Sequence, residues 1–325
     1  MESVESARVV ERPELESSSE AVVVDVLSCG LCGTDRHIYR GEYPSRLPLV
    51  PGHEFGGRIV AAPEGGSWSI GDIVSVDPNI SCGTCTDCRA GRPALCPDRF
   101  ALGVDIDGGL SQQVLVPVQQ LHRMRDDVDP LHLSFVEPLA CCLRGMDLAA
   151  LEGGESVAVV GGGVIGQLVV QLAARAGAAR VTLVTRQEAR RRLAEQFGAT
   201  DSAAPAAAGA LAQSFDVVFE CAGAISAFEQ SQSLARRGGS VILLGIPAQD
   251  AAATVRPYDL VFNELRIQGS FLNPLTQERA AALVGERQLD LDPLISRVLG
   301  LEEVAPVLAA EPGYGDIKYV VDPHR

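Results

Sequence analysis

The run Val157-Ala158-Val159-Val160 leads straight into Gly161-Gly162-Gly163-Val164-Ile165-Gly166, and this junction constrains the chain more than any other stretch. Four apolar, mostly β-branched residues read as a buried strand. The G-x-G-x-x-G that follows must turn and open a helix, predicted over 164–176. Gly161 permits the tight turn, Gly163 lets the backbone approach a pyrophosphate, and Gly166 lets the helix lie close to the sheet. The helix start, through Val164 and Ile165, offers N–H groups and a partial positive charge to phosphate. Apolar runs and helical stretches then alternate: strands over 181–184, 216–219, 240–244 and 265–268, and a helix over 188–197. The Ala-rich stretch 203–212 fits a loop or a helix. This βαβα rhythm specifies a doubly wound parallel sheet, the Rossmann form of an α/β fold.

The first 142 residues have a different texture. Gly, Pro and Cys are frequent, and short β-like runs at 21–27, 73–76 and 113–116 are separated by turn residues. That pattern predicts an antiparallel, partly barrel-shaped β domain. A strand over 317–321 should return to it. The expected plan for 325 residues is therefore a β domain over 1–142, completed by about 286–325, and a dinucleotide domain over 143–285. With 27 basic against 42 acidic side chains the net charge is −15, which repels nucleic acid and anionic membranes and excludes both as partners. No window reaches the roughly 18 apolar residues of a membrane span. The acidic start Met1-Glu2-Ser3-Val4-Glu5 is no secretory signal, so the expected compartment is the cytoplasm.

The end of the second Rossmann strand selects the dinucleotide. An NAD-type site places Asp or Glu there to accept hydrogen bonds from the ribose hydroxyls. This chain has Thr185-Arg186, followed by Arg190, Arg191 and Arg192. No carboxylate repels a 2′-phosphate, Thr185 can donate a hydrogen bond, and the Arg186 guanidinium can pair with the phosphate. NADP(H) is expected in preference to NAD(H). Two of the four arginines are expected to be no more than a solvated helix face.

Nine cysteines in a chain without a secretory signal point to metal rather than disulfides. Cys82, Cys85, Cys88 and Cys96 have the spacing C-x2-C-x2-C-x7-C. Four thiolates this close can close a tetrahedral zinc site with no position left open, which makes the site structural. Chemistry has to be sought elsewhere. Cys32 and His53 are good zinc ligands. Glu54 could ligate directly or swing in when water leaves, and Asp35 is placed to orient the imidazole. Cys29, Cys141, Cys142 and Cys221 read as small buried residues.

Cys32-Gly33-Thr34-Asp35, then Gly52-His53-Glu54-Phe55-Gly56-Gly57, then the four-cysteine lobe and the glycine loop, in that order, closely resemble the zinc-dependent medium-chain dehydrogenase/reductase superfamily over nearly the whole chain. Phe135-Val136-Glu137-Pro138 resembles its polyol (sorbitol) and threonine dehydrogenase branch. The resemblance implies a GroES-like catalytic domain joined to the Rossmann domain. It implies catalytic zinc on Cys32 and His53, with Glu54 and Glu137 in or near the shell, and structural zinc on the four cysteines, two ions per chain. It implies that Thr34 takes the substrate proton, that His37 passes it towards solvent, that Lys318 lies near the pyrophosphate, and that Leu244-Gly245-Ile246 lies beside the nicotinamide. The family begins with a longer N-terminal β-hairpin, so an exposed edge or altered packing is expected here.

The implied activity is interconversion of a secondary alcohol or polyol (a sugar alcohol, cyclitol or amino-alcohol) and its ketone, in a homodimer or homotetramer paired through a strand near 265–270. A threonine-type amino-alcohol dehydrogenase is the enzymatic alternative. A redox-inactive NADPH-binding sensor should have lost the zinc ligands or the proton relay, and Cys32, Thr34, His37, His53, Glu54 and Glu137 are all present.

Overall fold

The computed structural model describes residues 1–325. The first unit is Met1–Pro138 with Pro274–Arg325. Its strands are β1 (Ala21–Gly30), β2 (Glu54–Ala61), β3 (Ile73–Val76), β4 (Asn79–Ile80), β5 (Phe100–Ala101), β6 (Gln113–Pro117) and β7 (Leu121–Arg123), with helices α1 (Gly33–Tyr39) and α2 (Thr86–Arg89). α3 (Val136–Ala149) leads into the second unit, Leu139–Asn273. There lie β8 (Ser156–Val160), α4 (Val164–Arg175), β9 (Arg180–Val184), α5 (Glu188–Gln196), β10 (Asp201–Ala203), β11 (Phe215–Glu220), α6 (Ile225–Leu234), β12 (Ala235–Leu243), α7 (Pro257–Asn263) and β13 (Arg266–Gly269). The chain returns through α8 (Gln277–Gly285), β14 (Ile295–Leu299), α9 (Val304–Ala309) and β15 (Lys318–Val321).

In the first unit the main sheet runs β14-β15-β1-β2-β3-β7, with β6 also paired to β1. All its pairings are antiparallel except β14 with β15. Val22, Val24 and Val26 of β1 pack with Phe55 and Ile59 of β2 and with Val74, Val114 and Val116 in one apolar cluster. Full burial of each such side chain stabilises the fold by about 1.5–3 kcal/mol. No exposed edge is found at β1, whose backbone is paired by β2, β6 and β15. Residues 1–6 pack instead against the C-terminal end of α1 and the segment after it. Glu5 N–H donates to Tyr39 O at 2.7 Å, and the Tyr39 hydroxyl donates to Glu5 O at 2.9 Å.

The unit boundaries differ from the expected 142/143 and 285/286. The second boundary falls at Asn273/Pro274, which assigns α8 to the first unit. The cause is local: Gln277 Nε2 donates to Val76 O at 3.0 Å, and Arg125 pairs with Glu286 at 3.4 Å. A composition-based reading cannot see these contacts, because α8 has the same texture as the Rossmann helices.

In the second unit the sheet is parallel throughout, in the order β10-β9-β8-β11-β12-β13. The first strand in sequence, β8, lies between β9 and β11, so the strand order reverses there and opens a crevice at the carboxyl ends of the two strands. The Ala-rich stretch resolves into β10 and a 3-10 turn, Pro205–Leu211. No helix is long and apolar enough to cross a membrane.

Candidate active site

Cys32 is the N-cap of α1 in an extended conformation, and its N–H donates to Asp35 Oδ2 at 2.8 Å. The other oxygen of Asp35 accepts the Gly52 N–H at 3.2 Å, so one fully buried carboxylate ties the loop bearing Cys32 to the loop bearing His53. Ligand atoms of Cys32, His53 and Glu54 all lie within 4.8 Å of one another. His53 Nδ1 is buried, makes no hydrogen bond and stands 3.7 Å from Asp35 Oδ1. Burial opposes charge on this imidazole, but the Asp35 carboxylate and the Cys32 thiol outweigh it and hold its pKa well above the ordinary value. A half-buried thiol beside a buried imidazole and a buried carboxylate is a donor set that fits zinc. Thr34 Oγ1 lies 3.7 Å from Cys32 Sγ. His37, on the same helix, is exposed, with Nδ1 2.6 Å from Glu42 Oε2.

Lys318 and Glu137 have neighbours that the sequence did not announce. The Lys318 side chain is buried in the first unit and its ammonium pairs with Glu54 Oε2. It also approaches Leu31 O at 3.4 Å. Burial acts to lower its pKa, but the Glu54 and Cys32 charges prevail and raise it. The physical reason is register: β15 pairs with β1 through Val320–Gly30, which brings the first residue of β15 next to Glu54, itself opposite Gly30. Glu137 is buried but does not join the Cys32–His53–Glu54 set; its charge acts on Lys318.

The four cysteines gather around the 4-residue α2. Backbone N–H groups are directed at sulfur: Cys85 N to Cys82 Sγ at 3.3 Å, Cys88 N to Cys85 Sγ at 3.5 Å, and Cys82 N to Cys96 Sγ at 3.5 Å. Donors of this kind, from Thr84 and Cys85, lower the Cys82 thiol to about 6. Cys82 and Cys88 sulfurs are 4.0 Å apart, against about 3.8 Å between ligands of a tetrahedral site with Zn–S near 2.3 Å. The lobe therefore fits a closed four-thiolate zinc site.

In the second unit, Gly161 has φ +110°, and a Cβ there would stand 2.7 Å from Ala222 N, in the loop after β11. A Cβ on Gly166 would run into the Gly161 carbonyl, while one on Gly163, the N-cap of α4, would meet nothing within 4 Å. Two glycines are thus demanded by packing, and the third faces open space at a helix N-terminus, a cradle that fits a pyrophosphate. Thr185 is buried against the loop: a Cβ on Gly162 would lie 3.0 Å from its Oγ1. Arg186 is exposed. Glu220 ends β11, and no sequence signal marked it. Its carboxylate accepts Ala222 N–H at 2.8 Å and Gly223 N–H at 3.0 Å. Its carbonyl accepts Leu244 N–H at 2.8 Å and Gly245 N–H at 2.9 Å. Burial raises its pKa. One residue thus fixes the loops after β11 and β12, including the Leu244–Ile246 segment.

A zinc-type donor set and a GroES-like sheet in one unit, with a dinucleotide-type glycine loop in the other, define a zinc-binding dehydrogenase. Family models agree, with an alcohol dehydrogenase GroES-like domain matching residues 18–126 and a zinc-binding dehydrogenase domain matching 164–285. The chain is 30% identical to D-arabinitol dehydrogenase 1 of Uromyces fabae, over 94% of this chain and 90% of that protein. It is 32% identical to L-threonine 3-dehydrogenase of Bacillus subtilis, over 91% and 89%. A zinc-binding dehydrogenase from Sinorhizobium meliloti, solved bound to NADP, superposes with a TM-score of 0.93 at 43% identity, over 97% of this chain and 95% of that one. The chain belongs to the zinc-dependent medium-chain dehydrogenase/reductase superfamily, in the branch of the polyol and threonine dehydrogenases. It is an alcohol or polyol dehydrogenase.

Proposed function

We propose that this enzyme interconverts a polyol-type secondary alcohol and its ketone, using zinc on Cys32, His53 and Glu54 and NADP(H) in preference to NAD(H). The Cys32–His53–Glu54 set, with ligand atoms within 4.8 Å of one another, carries the reading. When bound, zinc supplies Lewis acidity towards a substrate oxygen and the nicotinamide supplies the hydride acceptor. The chain's own residues do the rest. Asp35 locks the two ligand-bearing loops, Thr34 Oγ1 takes the hydroxyl proton beside Cys32, and His37 passes it outward from its exposed position, held by Glu42. Thr185 and Arg186 receive the 2′-phosphate, a reading supported by the NADP held by the Sinorhizobium meliloti relative. The four cysteines hold a second, structural zinc.

The deciding experiment is NADP+ reduction over sugar alcohols, cyclitols, simple secondary alcohols and L-threonine. Polyol turnover with kcat/KM for NADP+ at least tenfold above NAD+ is expected. Turnover of L-threonine alone would select the threonine-type reading, which the Bacillus subtilis relative favours. Arg186→Ala should lower kcat/KM for NADP+ by roughly 10- to 100-fold, the worth of one charge-assisted hydrogen-bonded contact. It should leave NAD+ unchanged, and an unaltered NADP+ preference would sink the assignment.

For a partner we propose a second copy of this chain, paired through the outer edge of β13, the last strand of its sheet. Near that edge α7 exposes Tyr258, Val261 and Phe262 by 67%, 80% and 56%. An unpaired edge beside exposed apolar side chains is an association surface. Val261→Asp should halve the mass measured by light scattering; an unchanged mass would place the interface elsewhere.

A further inference from the structure

The arginines that follow β9 are not equivalent in the structure. Arg192 is a solvated side chain, 73% exposed and paired with Glu188 one turn away. Arg190 lends its carbonyl to the buried Gln167 amide at 2.8 Å, which ties α5 to α4. Arg191 is half-buried and turns back on the strand end. Its Nη1 donates to Thr185 O at 2.7 Å and to Arg186 O at 3.0 Å.

Three arginines within the first five residues of α5 oppose the helix dipole, which disfavours cations at that end. A local rule broken this way marks a functional site more often than an accident. The carbonyls of Thr185 and Arg186 are the backbone acceptors at the end of β9, flanking the two side chains read above as 2′-phosphate ligands. Without a donor on them, their negative ends would lie beside a dianion. A single guanidinium nitrogen occupies both, masks both dipoles and adds a fixed positive charge. Lysine matches this less well, because its ammonium sits on a flexible stem that does not hold it against both carbonyls.

We propose that Arg191 is a positioning residue for the NADP 2′-phosphate: it clamps the Thr185–Arg186 turn and neutralises its carbonyls, so that Thr185 and Arg186 meet the phosphate in one fixed arrangement. The inference rests on the NADP(H) reading above, and its test separates the two. Titrations of the full chain with 2′,5′-ADP and with 5′-AMP, followed by calorimetry, report the phosphate contribution without turnover. Wild type binding 2′,5′-ADP no tighter than 5′-AMP would overturn the NADP(H) reading and this inference with it. Given a wild-type preference, Arg191→Gln should weaken 2′,5′-ADP about tenfold and 5′-AMP less than twofold. Arg191→Lys should recover only a small part of the loss, and Arg192→Gln should bind as wild type. Equal weakening of both nucleotides by Arg191→Gln would mean a general structural role, and full recovery by Arg191→Lys would mean charge without a clamp. Either result, or no effect, would overturn the proposal.

Discussion

Cys32→Ser should lower kcat by on the order of 1000-fold or more and reduce bound zinc from two ions per chain to one, while NADPH binding persists. The first effect is the loss of a thiolate from a three-residue donor set, which removes the several kcal/mol a Lewis acid supplies at about 1.4 kcal/mol per decade of rate. The second follows because the four-cysteine lobe draws on none of the same residues. The variant is a clean test because the fold does not need this sulfur. Cys32 serves the backbone as the N-cap of α1, and its N–H bond to Asp35 is independent of its side chain. Serine is among the preferred N-cap residues, so α1 and the Asp35 link survive. Metal analysis, NADPH titration and steady-state rates on the same preparation check all three expectations. Turnover within tenfold of wild type would refute the assignment of Cys32.

Five of the six strands of the second unit and the helices α4 and α5 were legible in the sequence, while β10, α6 and α7 were not. Its strands are short apolar runs closed by Gly or polar residues, and its sheet is built by consecutive crossovers, so local pattern and tertiary order coincide. The four-cysteine lobe was legible for the same reason, since all its ligands fall within fifteen residues. The first unit was harder. β15 and β1 pair across almost the whole chain, and α8 joins that unit through Gln277 and Glu286, contacts that no local pattern encodes. The donor set could be found from Cys32, His53 and Glu54 because a thiol, an imidazole and an acid in Gly-flanked loops are chemically conspicuous. What could not be found was the company they keep. Nothing near Lys318 in sequence predicts a carboxylate 264 residues away, and nothing around Glu220 or Arg191 announces that each bonds two backbone groups of a neighbouring loop.

That hidden pairing carries the other large prediction. In the zinc-free protein Lys318→Met should lower the melting temperature by roughly 10 °C, because removing one partner of a buried ion pair costs about 3–5 kcal/mol and each kcal/mol is worth about 2–4 °C in a domain of this size. Glu54 is 3% exposed and Lys318 is 2% exposed, so neither charge can turn to water for compensation. Methionine fills nearly the same volume, so the loss reports the stranded carboxylate rather than a cavity. Glu54→Gln added to Lys318→Met should therefore restore much of the stability, a coupling far from additive. Binding of NADPH to the single variant reads out the other role the sequence suggested. A melting temperature that falls while the Kd for NADPH stays within threefold would mean that the ammonium serves Glu54 alone. A Kd raised tenfold or more, with melting within about 2 °C of wild type, would return Lys318 to the pyrophosphate and refute its place in the metal centre.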